Sequence, residues 1–177
     1  TVTFTATVAV DAGFAKPPGS VSFLNGSTIL ATVALDADGK ATYATSTLPI
    51  GTNSITVSYA GNDDYAASVS SVLSQVINKV ATTTVLTAVP NPSSLGQSVI
   101  LTATVTPSLS GYTAPTGTVQ FLSGTTVLGT GTLGADGKAT LTVSTLAVGT
   151  QSLTATYQGD TNNATSTSTA VSQVVNK

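Results

Sequence analysis

The residues best suited to chemistry in this chain are a short run of oxygen donors, Asn62-Asp63-Asp64 after Gly61, and the single carboxylate Asp160 at the corresponding point about a hundred residues later. Calcium takes six to eight oxygens and favours several carboxylates, so this loop is the candidate metal site, with Asn62, Asp63, Asp64 and Asp160 as its ligands. The same residue types after a strand also build Asx turns, in which the side-chain oxygen caps nearby backbone N–H groups. Both readings stand at this level. A second fragment, Asp36-x-Asp38-Gly39, has part of a calcium-loop pattern, but the equivalent position to Asp36 is Gly134, which favours a hairpin turn.

Other chemistry has little to work with. The chain contains no His, Cys, Glu or Arg, so the usual general bases, thiol nucleophiles and oxyanion clamps are missing. Serines are plentiful, yet there is no Gly-x-Ser-x-Gly elbow and no histidine to activate one. The chain is therefore expected to be no enzyme and to need no cofactor, calcium excepted. The five lysines are scattered and the net charge is −2. Nucleic acid needs clustered cations and is excluded as a partner. No apolar run approaches the length of a membrane span, although hydrophobic residues make up 41% of the chain. Without Trp, and with only Tyr65 and Tyr112 expected in loops, a sugar-binding platform has few building blocks. An isopeptide crosslink is not expected either, because Lys40 and Lys138 follow turns while Lys79 and Lys177 end strands.

These residues are carried by strands. Alternation places Val99, Leu101, Ala103 and Val105 on one face and Thr102, Thr104 and Thr106 on the other, and Val2, Phe4, Ala6 and Val8 alternate in the same way. Further runs at Thr82–Val89, Val119–Leu122, Thr126–Leu133, Ala139–Leu146, Ser152–Tyr157 and Ser166–Val175 complete seven strands in about 95 residues, with no helical periodicity. That pattern predicts an all-β chain of immunoglobulin-like sandwiches. Turn residues agree with it: Asn25-Gly26, Ser123-Gly124, Asp38-Gly39 and Asp136-Gly137 fall between alternating runs. Pro90-Asn91-Pro92 breaks the first strand, as an edge strand that changes sheets would tolerate. Tyr59 and Tyr157 close their strands two residues before Gly, where sandwiches of this kind bond a buried hydroxyl to backbone.

The chain also repeats itself. A shift of 98 positions carries Gly19–Lys79 onto Gly117–Lys177 without a gap, with about half of the residues identical. A period of that size is a whole domain. We expect residues 1–79 to form a first Ig-like domain and 80–177 a second. Thr1 aligns with Ser98, so the first domain is truncated at its first strand, by cloning or proteolysis or as an edge open to donor-strand exchange in a polymer. The connection Asn78–Thr82 has neither Gly nor Pro, which predicts a stiff end-to-end rod.

Within repeat two, Pro115, Gly117, Val119, Phe121, Gly124, Leu128, Gly129, Gly137, Ala139, Leu146, Gly149, Tyr157, Gly159 and Asp160 follow an order that resembles bacterial Ig-like (Big) repeats of large secreted and cell-surface proteins. Repeat one departs from it at Asn62 and Ala31. The resemblance implies an extracellular or cell-surface, non-catalytic part of a stalk, filament or adhesin. Its partners would be neighbouring Ig-like repeats of the same or another chain, or a surface glycan or protein. Loops Phe14–Pro18 and Thr113–Thr116 are the candidate binding segments of the adhesive alternative.

Overall fold

A computed structural model describes residues 1–11 and 13–177, and they divide into two compact units, Thr1–Asn78 and Lys79–Lys177. The first holds strands β1 (Val2–Thr7), β2 (Ser20–Asn25), β3 (Thr28–Ala34), β4 (Lys40–Thr45), β5 (Gly51–Tyr59), β6 (Ser68–Val69) and β7 (Leu73–Ile77). The second holds β8 (Thr82–Val89), β9 (Ser93–Ser94), β10 (Val99–Pro107), β11 (Thr118–Ser123), β12 (Thr126–Thr132), β13 (Lys138–Val143), β14 (Gly149–Tyr157), β15 (Ser166–Thr167) and β16 (Val171–Asn176). Both units are β-sandwiches. In the second, the sheet β13-β10-β8 faces the sheet β12-β11-β14-β16-β9, with β15 on the end of β14. In the first, β1-β4 faces β3-β2-β5 with β6 and β7 on β5.

Alternation decides what each sandwich buries. Along β10, Val99, Leu101, Ala103 and Val105 are buried while Ile100 is exposed, so the two-residue period sends one set of side chains into the core. Val119 and Phe121 from β11 and Leu153, Ala155 and Tyr157 from β14 meet them from the facing sheet. The first unit uses the same positions: Val21 and Phe23 from β2, Ile55 and Tyr59 from β5, and Phe4 from β1. Phe23 also packs against Tyr43, with ring centroids 5.6 Å apart.

The hairpins β2–β3 and β11–β12 carry the same register shift, after Phe23 and after Phe121. At their tips Gly26 and Gly124 take φ of 59° and 58°, a left-handed conformation that costs a side-chain-bearing residue energy. The run Ser166–Val175, read from sequence as one strand, is two. Ser168 interrupts it because its hydroxyl accepts the N–H of Ala155 at 3.0 Å and its own N–H reaches the Ala155 carbonyl. Ser70 does the same to Val57 in the first unit. Likewise β13 ends at Val143, and Leu146 turns back into the core from the loop.

The two units differ at one edge. After β8, the Pro90-Asn91-Pro92 step moves the chain to the other sheet, where β9 pairs in parallel with β16. Among the described residues the first unit has no counterpart of β8 or β9, and β1 is paired on one side only.

Candidate functional site

The candidate oxygen donors lie in equivalent loops, one per unit, immediately after β5 and β14. Each loop is anchored by the tyrosine that precedes it. Tyr59 donates its hydroxyl to the Pro18 carbonyl at 3.0 Å and Tyr157 to the Thr116 carbonyl at 2.9 Å. Both rings are almost completely buried, so the hydroxyl needs that acceptor to avoid an unpaired polar group. The glycines that follow, Gly61 and Gly159, sit at positive φ. A Cβ on Gly61 would lie 2.7 Å from both the Tyr65 carbonyl and the Ala67 nitrogen, so the loop closes only around a residue without a side chain.

In the first unit Asn62 Oδ1 accepts the N–H groups of Asp64 and Tyr65, each at 2.9 Å, which is an Asx turn. Asp63 and Asp64 are exposed. In the second unit Asp160 Oδ1 accepts the N–H groups of Asn162 and Asn163 at 2.8 and 2.6 Å, the same turn with a charged acceptor. Its Oδ2 accepts the backbone N–H and the hydroxyl of Thr116, at 2.9 and 3.1 Å. The Asn163 amide adds bonds to both carboxylate oxygens at 3.1 and 3.0 Å. Desolvation pushes the Asp160 carboxyl up, but the donors from Asn163, Thr116 and Asn162 outweigh it and hold the group well below the usual carboxylate range. Burial, aided by the neighbouring Asp160 carboxylate, pushes the Tyr157 hydroxyl up to about 12.

A common device joins the loop before β2 or β11 to the loop after β5 or β14. The residue at the position of Tyr65 and Asn163 donates across the gap: Tyr65 hydroxyl to the Ala15 carbonyl at 2.8 Å, Asn163 amide to the Thr113 carbonyl at 3.3 Å. Position and acceptor are retained while the side chain is not. The second unit also holds Val80, whose N–H reaches the Asn162 carbonyl and whose carbonyl accepts from Ala164, and Lys79, whose ammonium donates to the Asp160 carbonyl.

Asn62 Oδ1 and both Asp160 oxygens are therefore engaged by nearby donors, while the Asp63 and Asp64 carboxylates face solvent. Asn62, Asp63 and Asp64 share one turn, and Asp160 stands alone in the other unit. Among the described residues no three carboxylates gather closely enough to hold a metal ion together. Asp36 Oδ1 caps the N–H groups of Asp38 and Lys40, as the hairpin reading requires.

Reading the sequence for carboxylates overlooks three buried amides. Asn53, 2% exposed, donates to the Pro49, Gly51 and Gln75 carbonyls and accepts from Asn25. Gln173, fully buried, donates to the Pro90 carbonyl and Ser93 hydroxyl, fastening the crossing from β8 to β9. Asn163 is the third. For Asn53 and Gln173 a signal existed: each occupies an inward position of an alternating strand, in phase with Ile55 and with Val171 and Val175.

Two facing sheets, a strand that changes sheets and a buried tyrosine bonded to backbone just before the neighbouring strand define immunoglobulin-like domains. The chain belongs to the bacterial Ig-like domain (group 3) family, whose pattern it matches over residues 1–78 and again over 86–176. No curated protein sequence matches it. Among solved structures it is similar to the fibronectin(III)-like modules of Clostridium thermocellum CbhA, at 20% identity and a TM-score of 0.44, covering 98% of this chain and 86% of that one. It is also similar to the first eight Ig domains of Down Syndrome Cell Adhesion Molecule, at 12% identity and a TM-score of 0.44, covering 98% of this chain and 22% of that one. A third is the BSP domain of a biofilm associated protein, at 19% identity and a TM-score of 0.34, covering 98% of this chain and 27% of that one.

Proposed function

We propose that this pair of Ig-like repeats is a spacer, a non-catalytic structural segment of an extracellular or surface-attached bacterial stalk, filament or adhesin. The observation that supports this most is what the copies share. Core positions, turn glycines and the tyrosine-to-carbonyl bond recur at the same points, whereas the loop chemistry changes, Asn62 for Asp160 and Tyr65 for Asn163. A job common to both copies resides in the scaffold. A surface clothed in Ser and Thr, with 7% charged residues, suits a part that must stay folded and unreactive outside a cell. Its partners would be neighbouring repeats.

An adhesive reading is favoured by two exposed aromatic side chains in loops, Phe14 at 70% and Tyr112 at 56%. A glycan array probed with the labelled chain separates the two. The spacer retains no glycan, while retention that disappears in Phe14→Ser or Tyr112→Ser would establish adhesion instead. A calcium-stiffened spacer would use Asn62, Asp63 and Asp64, with Asp160 in the other unit. Thermal unfolding in calcium against chelator tests it: a site filled at a hundred times its dissociation constant would add about 2.7 kcal/mol, and we expect no shift.

A further inference from the structure

The first unit carries an open groove of about 490 Å³ between its two sheets, lined by β1, β2, β5 and the segment Ser68–Leu73. In the second unit the equivalent space is occupied. There β8 pairs antiparallel with β10, Leu101 opposite Ala88, Ala103 opposite Leu86 and Val105 opposite Thr84, and sends those three side chains into the core. Thr82 and Thr84 donate or share hydrogen bonds with the Ser166 hydroxyl, both at 2.7 Å. Beyond the proline step Asn91 donates to the Ser172 carbonyl and accepts from Val174, and Gln173 holds Pro90 and Ser93.

Each of these receptors has its counterpart in the first unit, unoccupied. Phe4, Ala6 and Val8 take the places of Leu101, Ala103 and Val105; Ala6 and Val8 are only partly covered where Ala103 and Val105 are buried. Ser68 stands where Ser166 is, and is exposed. Gln75 stands where Gln173 is and keeps the bond to the next carbonyl, Val76 at 3.0 Å as Gln173 does to Val174 at 3.1 Å, but it is half-buried and has no partners in the places of Pro90 and Ser93. Apolar side chains flank this edge in the open, with Val69 at 69% and Leu73 at 55% exposure. None of the residues lining the groove is charged.

From this we infer that the groove is a strand-acceptor site, and that its occupant is a neutral extended segment with the pattern of Thr82–Ser94, inward Thr, Leu and Ala followed by Pro-Asn-Pro-Ser, that is not already built into a complete sandwich. The segment runs antiparallel to β1, its inward Leu over Ala6 and its inward Ala over Phe4, then crosses to lie parallel to β7. The strand β8 of a second copy is a poor donor. Withdrawing it would empty the groove of its own unit, so the exchange relocates the vacancy and adds the cost of association.

A fluorescent peptide of the sequence Val80–Gln97, titrated with the full 177-residue chain, tests the site. Saturable binding at one peptide per chain is expected, with slowed hydrogen exchange on β1 and not on β10. A peptide carrying Leu86→Asp leaves the protein unaltered and should bind at least about tenfold more weakly, since it places a charge in the apolar part of the groove. Absence of binding, equal binding of the Leu86→Asp peptide, or protection of β10 instead of β1 would overturn the assignment. So would dimerisation of the chain alone that is abolished by Leu86→Asp in the chain, because the donor would then be a second copy.

Discussion

Asp160 shows how a single side chain can anchor a loop. Its two oxygens receive donors from Thr116, Asn162 and Asn163, so N–H and O–H groups offset its charge. Because its folded pKa is depressed, the stabilisation it confers is complete above the ordinary carboxylate pKa of about 4 and is lost as pH falls further. Tyr157 works in the opposite direction, its contribution complete below pH 10 and lost as pH rises toward about 12. We expect Asp160→Asn to cost the second unit about 1 kcal/mol at pH 7, modest because the loop is solvent-accessible, and to flatten its acid-side melting profile between about pH 4 and pH 2. Melting curves across that range check both. A profile unchanged by the substitution would mean that the carboxylate is not the titrating group. Gly61 makes a sharper test of backbone constraint. Gly61→Ala meets two backbone atoms at 2.7 Å and should cost more than about 2 kcal/mol, whereas Gly26→Ala meets nothing within 4 Å and should cost only the left-handed penalty of about 1 kcal/mol. Equal losses for the two would refute the steric account.

Among the elements, β8 and β9 are decisive. They close one edge of the second sandwich, and Leu86 is their most deeply set large side chain, 6% exposed. Leu86→Ala should destabilise the second unit by about 2 to 4 kcal/mol through lost burial and a partial cavity, and leave the first unit's transition where it was. Differential scanning calorimetry resolves which transition moves. Strand positions were readable in advance because alternation reports burial directly: Val99 to Val105 in β10 needed no more than the two-residue period. Interruptions were not. Ser168 resembles any other strand serine in sequence, and only its hydroxyl bond to Ala155 splits β15 from β16. Nor does residue type reveal that Tyr65 and Asn163 perform one task, since an aromatic hydroxyl and an amide become equivalent only when their acceptors, Ala15 and Thr113, lie at matching points.

For the whole molecule, the consequence is two units of unequal completeness. Among the described residues fifteen hydrophobic side chains are buried in the second core and six in the first. With β1 paired on one side only, the first unit leaves Ala6, Val8 and Leu73 more exposed than their counterparts Ala103, Val105 and Val171, which forfeits about 25 cal/mol for each Å² of apolar surface so exposed. Calorimetry of the full chain should therefore show two transitions, the first unit melting below the second. A single transition, or the reverse order established with Leu86→Ala, would contradict that ranking. The amino-acid sequence by itself determined the all-β class, the domain-sized repeat, the inward residues, the turn glycines and the poverty of reactive side chains, because these follow from composition and local periodicity. Only the tertiary structure decided that Asp160 takes donors from its own loop and from Thr116, that Gln173 clasps the proline crossing and that a groove adjoins β1. Those properties depend on which distant segments meet, and an unpaired edge or a satisfied carboxylate exists only once the sheets have packed.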